Sequence, residues 1–275
     1  MTEQSADPRV ERHVERHVER HVECRVDGPV ATVTIDRPEQ LNAITIEMVG
    51  ELVDALREAE RSPARVVVLT GAGKAFCAGA DVAEMKDRTA GEWESIVRLY
   101  LEPVREIVSM GKPVIAALHG DTVGGGLGLA MACDLRIAAE GIRLGSPFIK
   151  LGLAGCDMAA GWFLPRLVGL GAASEMMFTG RMVTSGEALD MGLVHRVVAV
   201  EAFDGELGRW VDRVAAGPPL AHRWTKRAIH RSLGTNMDSE FEFEIFAQVQ
   251  CLQTADHREG VAAFRERRQP EFRGG

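Results

Sequence analysis

Residues 113–134 read PVIAALHGDTVGGGLGLAMACD: an apolar run, a short polar segment, three glycines and a second apolar run. The first run is bounded by proline and glycine, which predicts a buried strand. The second run predicts the start of a buried helix. The glycines Gly124, Gly125 and Gly126 have no Cβ, so a ligand can approach their backbone N–H groups closely. They also lie where a helix begins, and the unpaired amides there favour an anion.

Two interpretations of this glycine turn stay open. It can hold a developing negative charge such as an oxyanion, because fixed backbone donors stabilise charge in a dry site. It can equally be a tight strand-to-helix turn. A second glycine-rich loop, GAGKAFCAGAD at residues 71–81, follows a strand predicted over Val66–Thr70. Two such loops can each donate one backbone amide to the same oxygen.

Neither loop matches the common nucleotide-binding patterns. The pattern G-x-G-x-x-G, counted from Gly71, ends on Phe76, and counted from Gly124 it ends on Leu129. A P-loop requires Ser or Thr after its lysine, whereas Lys74 precedes an alanine. The loops therefore argue against nicotinamide chemistry and nucleotide triphosphate hydrolysis.

The composition excludes several classes of protein. Of 275 residues, 46% are hydrophobic, and the formal net charge is −8, so wholesale disorder and general binding to nucleic acid or an anionic membrane are not expected. Five cysteines without CxxC spacing predict reduced thiols in a cytoplasmic protein, with Cys77 and Cys133 as small core residues. Glu3, Asp7 and the lack of an apolar run near the N-terminus predict no signal or transit peptide. No apolar stretch predicts a membrane span.

The N-terminal residues 10–23 repeat the tetrad Val-Glu-Arg-His. We interpret residues 1–21 as a charged, solvated arm. If the repeat is helical, His13, His17 and His21 share one stripe and could hold a metal ion. No carboxylate or cysteine completes such a site, so no metal is predicted.

The rest of the chain alternates strand and helix patterns. We predict an α/β fold with a core over residues 22–215 and a helical C-terminal region over residues 216–275. The predicted elements are a hairpin of Val22–Val26 and Val30–Ile35 around Asp27-Gly28, a helix from about Ile46 to Arg61 capped by Thr45, a strand Leu135–Ala139, and helices over 240–255 and 259–268.

The order of the motifs resembles one family. They are DRP at 36–38 with LNA at 41–43, the loop at 71–81, KPVIAA at 112–117, GGG at 124–126 with ACDLRIA at 132–138, LPRLVG at 164–169, TGR at 179–181, GLV at 192–194, and EG at 259–260 with AF at 263–264. Over about residues 22–272 the chain is similar to the crotonase superfamily of enoyl-CoA hydratases and isomerases. Each motif is weak alone, and their order and spacing make the match specific.

The resemblance implies a spiral of ββα units with a helical C-terminal part that serves trimerisation and covers the site as a lid. It implies a homotrimer or a dimer of trimers and an acyl-CoA thioester as substrate. Coenzyme A is part of that substrate, so no separate cofactor is expected. The thioester oxygen would accept hydrogen bonds from the backbone N–H groups of Ala80 and Gly125.

The resemblance also implies contacts with the substrate. Lys74 would lie near the CoA phosphates or adenine, and Arg267 would reach the CoA of a neighbouring subunit; the alternative for both is a solvated surface cation. Trp162 would line or cover the acyl pocket, or fill the core. The other predicted contacts are Ala43, Asp81, Val82, Gly124 and Phe148.

The chain departs from the family pattern at the proton-transfer positions. Hydratases use two glutamates, and the corresponding residues here are Gly128 and Phe148, which cannot exchange a proton. Dienoyl-CoA isomerases and 4-chlorobenzoyl-CoA dehalogenase carry a catalytic aspartate about where this chain has Asp157. Asp157 is therefore a candidate acid/base or nucleophile, and the alternative is a cap for a helix beginning near Met158. Asp121 is a second candidate, with a turn role as its alternative.

These observations predict an acyl-CoA enzyme of the enoyl-CoA hydratase/isomerase type that stabilises a thioester enolate. Isomerisation or another enolate reaction is favoured over two-glutamate hydration. A non-catalytic acyl-CoA-binding protein is the alternative.

Overall fold

The computed structural model describes residues 20–275, so His13 and His17 of the repeat lie outside the described residues. The third histidine, His21, directly precedes the first strand, and its backbone N–H donates to the Glu51 carboxylate at 2.7 Å. The condition under which the three histidines would share one helical stripe is therefore not met at His21, because this residue leads into a sheet.

Ten strands and ten α-helices occur within residues 20–275. The strands are β1 (Val22–Asp27), β2 (Val30–Ile35), β3 (Val66–Gly71), β4 (Ala75–Cys77), β5 (Val114–Leu118), β6 (Asp121–Val123), β7 (Leu135–Ala139), β8 (Arg143–Gly145), β9 (Met182–Thr184) and β10 (Arg196–Val198). The helices are α1 (Ile46–Arg61), α2 (Ala90–Tyr100), α3 (Glu102–Ser109), α4 (Gly125–Ala132), α5 (Ala160–Thr179), α6 (Ser185–Asp190), α7 (Phe203–Ala215), α8 (Pro219–Ser232), α9 (Met237–Leu252) and α10 (Ala255–Glu266). None of these helices has the length and apolar character needed to cross a bilayer.

The strands form two sheets. The larger has the order β1-β2-β3-β5-β7-β10 and the smaller the order β4-β6-β8-β9. Only the β1–β2 and β8–β9 pairs are antiparallel. Three successive segments each place one strand in the large sheet, the next in the small sheet, and then a helix. This confirms the predicted α/β spiral of ββα units with a helical C-terminal part.

Local signals placed the first elements correctly. The predicted hairpin is β1–β2, and the predicted helix is α1, whose N-cap Thr45 accepts a hydrogen bond from the Met48 N–H at 3.2 Å. The two predicted C-terminal helices begin earlier than expected, at 237 and 255. The reason is that the side chains of Asn236 and Thr254 each accept a backbone N–H three residues further on and thus start these helices.

Helix α4 is the centre of the fold. All eight of its residues are buried, and it packs against α3, α5 and the strands β4 and β6. A helix that is apolar on every side must be enclosed in this way. Its first residue, Gly125, consequently faces the loop that follows β4.

A single buried side chain joins the first glycine loop to the segment before α1. The Asn42 Oδ1 accepts the backbone N–H of Arg37 at 2.9 Å, and its Nδ2 donates to the carbonyls of Ala72 at 2.8 Å and Ala75 at 2.7 Å. Asn42 has no exposed surface. Its amide therefore fixes the loop that leads to Ala80.

We predict that Asn42→Ala lowers the free energy of unfolding by about 2–4 kcal/mol, because several buried polar groups lose their partner together. Denaturant unfolding measures the change. The chain's other asparagine, the exposed helix cap Asn236, is the matched control, and Asn236→Ala should cost about 1 kcal/mol. Equal losses in the two variants would contradict the role assigned to Asn42.

Candidate active site

The two glycine loops come into backbone contact. Gly79 has φ +95°, and a Cβ added there would lie 3.0 Å from both the Gly125 nitrogen and the Val123 oxygen. Gly124 has φ 54° and ψ −118°, and its N–H donates to the Gly145 carbonyl at 2.8 Å. Only glycine tolerates these conformations and this close approach. The contact makes Ala80 and Gly125 neighbours.

The backbone N–H of Ala80 has no acceptor among residues 20–275. A short bridge fixes the residues on either side of it: Ile44 N–H donates to the Gly79 carbonyl at 2.8 Å, and Asp81 N–H donates to the Ile44 carbonyl at 2.9 Å. In such a parallel bridge, the groups of Gly79 and Asp81 face Ile44. The N–H of Ala80, which lies between them, therefore points away from Ile44.

The backbone N–H of Gly125 is also unpaired within the described part of the chain. Gly125 is the first residue of α4, so its N–H has no intrahelical acceptor. The first such bond is donated by Gly128 to the Gly124 carbonyl at 3.1 Å. Gly125 therefore presents a donor at the positive end of the helix.

Both amides border one cavity of about 500 Å³, a size typical of small-molecule sites. Its walls are mostly apolar, and α2 contributes four of its lining residues. The lining side chains are Ile46, Asp81, Glu84, Met85, Arg88, Trp93, Ile96, Val97, Tyr100, Phe148, Leu151, Leu153, Asp157 and Met158.

Two of the three carboxylates that line the cavity form hydrogen bonds that join distant segments of the chain. Asp81 pairs with Arg37 at 2.6 Å, and this hydrogen bond lowers the pKa of the Asp81 carboxyl. Glu84 accepts a backbone N–H from the start of α1 at 2.7 Å. Asp157 is half-buried and accepts only the N–H of the adjacent Met158, at 2.8 Å. One oxygen of Asp157 and one of Glu84 are unpaired among residues 20–275.

Comparisons with known proteins identify the relatives of this arrangement. Residues 25–275 match the family model described as enoyl-CoA hydratase/isomerase. The chain belongs to this family. It is 36% identical to the short-chain-enoyl-CoA hydratase of Clostridium acetobutylicum, over 89% of this chain and 94% of that protein. It is 33% identical to the 1,2-epoxyphenylacetyl-CoA isomerase of Escherichia coli, over 90% of this chain and 97% of that protein.

The crystal structure of the enoyl-CoA hydratase from Bacillus anthracis superimposes on this chain with a TM-score of 0.88 and 32% identity, over 93% of this chain and 100% of that one. Hydratases and an isomerase of the family are thus about equally similar to the chain. Similarity alone does not select the reaction, so the side chains around the cavity must be considered.

Gly128 is closely packed by the loop that carries Asp157. A Cβ added at Gly128 would lie 2.3 Å from the Met158 carbonyl oxygen and 2.7 Å from the Met158 Cβ. No side chain fits at this position while the loop keeps its course. Phe148 is buried, and its ring lies 3.5 Å from a Cβ placed on Gly124. This family member has a glycine at position 128 and, at position 148, a phenylalanine that lines the cavity.

The structure rejects the helix-cap alternative for Asp157. Helix α5 begins at Ala160, and its N-cap is Ala159, with no side-chain cap bond. Met158 and Ala159 have φ of 49° and 61°, so the chain is not helical between Asp157 and α5. Asp121, the second candidate acid, does not line the cavity and pairs with Arg143 at 2.6 Å.

The predicted contact residues divide into two groups. Ala80, Asp81, Gly125, Phe148 and Asp157 line the cavity. The residues that do not line it are Ala43, Lys74, Val82, Gly124, Trp162 and Arg267.

Trp162 is not a core residue, which corrects one of the alternatives for it. It is 44% exposed, and the Arg166 guanidinium lies 3.5 Å above its ring. Lys74 and Arg267 are exposed, as expected for residues that contact the outer part of a long ligand or only solvent. The contacts of these residues with CoA stay predictions.

The part of the cavity wall formed by α2 was not predicted from the sequence. Trp93, Ile96, Val97 and Tyr100 have the i, i+3, i+4, i+7 spacing of one helical face, and all four line the cavity. The helix begins with a capping box, in which Thr89 and Glu92 bond reciprocally. The T-x-x-E pattern ahead of apolar residues is the signal that could have predicted this helix.

Among residues 20–275, no group of three His, Cys, Asp or Glu side chains is arranged to hold a metal ion.

We predict that Gly128→Ala lowers the free energy of unfolding by about 1–3 kcal/mol, because the added methyl group overlaps the Met158 backbone. Thermal or denaturant unfolding checks this value. Gly91→Ala is the matched control, since nothing lies within 4 Å of its added Cβ on α2. This control should gain up to about 1 kcal/mol. An unchanged stability for Gly128→Ala would show that the loop moves freely away.

Proposed function

We propose that the chain binds an acyl-CoA thioester with its carbonyl oxygen between the N–H groups of Ala80 and Gly125. The observation that carries this proposal is that both amides are unpaired and border the same apolar cavity. Removal of a proton beside a thioester carbonyl places negative charge on this oxygen. Fixed donors in a dry site stabilise such a charge by about 2.7–4 kcal/mol each.

We infer that the reaction is an isomerisation or another enolate reaction in preference to two-glutamate hydration. By the family resemblance, hydratases place carboxylates where this chain has Gly128 and Phe148. Asp157 is the cavity carboxylate whose one hydrogen bond in the described part of the chain comes from its own neighbour, Met158, whereas Asp81 and Glu84 bond to distant segments. One carboxylate suffices for an isomerisation, whereas hydration by this family's route uses two.

A single aspartate can move the double bond of a 3-enoyl-CoA. The Asp157 carboxylate takes a proton from C2, and the electrons of the C–H bond form a dienolate whose oxygen is held by the two amides. The resulting carboxylic acid returns the proton to C4, which gives the conjugated 2-enoyl-CoA and regenerates the carboxylate. Donor and acceptor carbons lie two bonds apart, so one side chain between them serves both steps.

We further propose a cytoplasmic location without a separate cofactor. All five cysteines are free, which supports a reducing compartment. Burial raises the pKa of the Cys77 and Cys133 thiols to about 12, so both stay protonated and act as small core residues. Coenzyme A would be part of the substrate.

We propose that the chain forms a homotrimer or a dimer of trimers through its C-terminal helices. Phe241, Ile245, Val249 and Leu252 recur at helical spacing on α9, and each is at least 43% exposed. Exposed apolar stripes of this kind mark association surfaces. The family resemblance selects a second copy of the chain as the partner.

Asp157→Asn should lower kcat for a converted 3-enoyl-CoA by about 100-fold or more, since a general acid–base group contributes at least that factor. The absorbance of the conjugated 2-enoyl thioester measures the reaction. Binding of butanoyl-CoA, a saturated acyl-CoA that cannot be isomerised, should be unchanged. Asp121→Asn is the matched control and should keep full activity.

Full activity of Asp157→Asn would contradict the assignment of the acid. If the wild-type protein binds a panel of 2-enoyl- and 3-enoyl-CoA thioesters and converts none of them, the non-catalytic binder is correct. Rapid hydration of 2-enoyl-CoA, with loss of the conjugated absorbance, would contradict the preference for isomerisation.

We predict that the double substitution Phe241→Asp and Ile245→Asp dissociates the assembly into single chains, because two charges cannot be buried in an apolar interface. Light scattering at several protein concentrations measures the mass. Glu244→Ala, on the same helix, is the control and should leave the mass unchanged. A wild-type protein that is monomeric at all concentrations would refute the assembly.

A further inference from the structure

Arg136 is a buried cation that the proposed reaction does not use. It lies on β7, only 3% exposed, and no carboxylate within residues 20–275 forms a salt bridge with it. Burial lowers the pKa of its guanidinium, but an arginine side chain remains protonated in proteins. The charge of Asp134 acts on Arg136, but this carboxylate pairs with Lys226 at 2.8 Å. A buried charge without a salt-bridge partner of its own is costly, so its surroundings must supply another kind of compensation.

Backbone carbonyls supply that compensation. The guanidinium donates to the Cys133 carbonyl at 2.7 Å and to the Leu193 carbonyl at 2.8 Å. Longer contacts of 3.4 Å reach the carbonyls of Ala130 and Met131. Three of these four carbonyls belong to the last turn of α4 and its C-cap. The Ala130 carbonyl also accepts the backbone N–H of Cys133 at 3.3 Å. All three groups lie at the negative end of the helix dipole.

Helix α4 thus connects Arg136 to the proposed oxyanion site. The helix has eight residues and is about 12 Å long. It is buried over its whole length, so water does not screen one end from the other. The negative C-terminal end of a helix opposes the positive potential at its N-terminal end. A cation at the C-terminal end offsets the negative potential of that end. The hydrogen bonds of the Arg136 guanidinium also hold the axis of the helix in place.

We propose that Arg136 is a positioning residue that strengthens and orients the oxyanion site from the far end of α4. This inference rests on the proposed function of the Gly125 N–H. Arg136 itself contacts neither the cavity nor the thioester. It acts through the charge and the alignment of the helix that presents Gly125.

Infrared spectroscopy of bound butanoyl-CoA, labelled with ¹³C at the thioester carbonyl, tests the proposal. Hydrogen bonds to the carbonyl oxygen lower its stretching frequency, so the wild-type protein should shift the band to lower frequency than in free butanoyl-CoA. Arg136→Gln keeps donors without the charge, and Arg136→Met keeps neither. Both should shift the band measurably less than the wild-type protein does, because the cation at the helix end is removed. Arg136→Lys keeps the charge and should retain most of the shift.

Arg105→Met is the matched control. Arg105 is an exposed arginine on α3, which packs against α4, and it pairs with Glu102. Its removal deletes one positive charge from the same neighbourhood without touching the α4 carbonyls. The band should stay at the wild-type position.

The outcomes separate this inference from the proposed function. If the wild-type protein does not shift the band, the oxyanion site itself is refuted. If the wild-type protein shifts it and the Gln and Met variants shift it equally, the role of Arg136 is refuted. A Lys variant that folds but loses the shift would also refute that role, because its charge is retained. The Lys variant decides alone if the neutral variants do not fold.

Discussion

The structure depends on the contact between the backbone of Gly79 and the beginning of α4. At this point two segments approach so closely that a single methyl group on Gly79 would touch the Gly125 nitrogen. The contact belongs to neither sheet. It joins the loop after β4 to the helix after β6, and it brings two amide donors from distant parts of the sequence to one cavity. The buried Asn42 amide holds one side of this contact, and the packing of α4 holds the other.

A fold that uses main-chain donors in this way leaves its side chains free to vary. The two N–H groups need only the correct backbone course, which glycines and buried apolar residues secure. Side chains of α2 and of the loop before α5 form much of the cavity wall. This separation between backbone donors and variable side chains explains why proteins named for hydration and for isomerisation are about equally similar to the chain. Similarity over the whole chain reports the shared backbone, whereas the reaction depends on a few side chains.

Local sequence signals predicted much of the fold. The hairpin, α1 and the strands before both glycine loops follow from apolar runs, a turn dipeptide and a cap, all of which act within a few residues. The convergence of Ala80 and Gly125 came from the family resemblance, since nothing local brings residues 45 positions apart together. The cavity wall formed by α2 was not predicted, although the capping box of Thr89 and Glu92 is a sequence signal for the start of this helix. The fit of Met158 against Gly128 could not be predicted, because it depends on the course of a loop thirty residues away.

The pair formed by Gly128 and Met158 links the shape of the backbone to the chemistry. In this chain the loop before α5 fills the space beside the second turn of α4, and its Met158 carbonyl lies where a side chain at position 128 would begin. The same loop carries Asp157 to the cavity and holds its carboxylate by the Met158 N–H. A carboxylate on α4 and this course of the loop therefore exclude each other. The loop backbone therefore decides whether a side chain fits at position 128, and a glutamate introduced there alone would overlap the Met158 carbonyl.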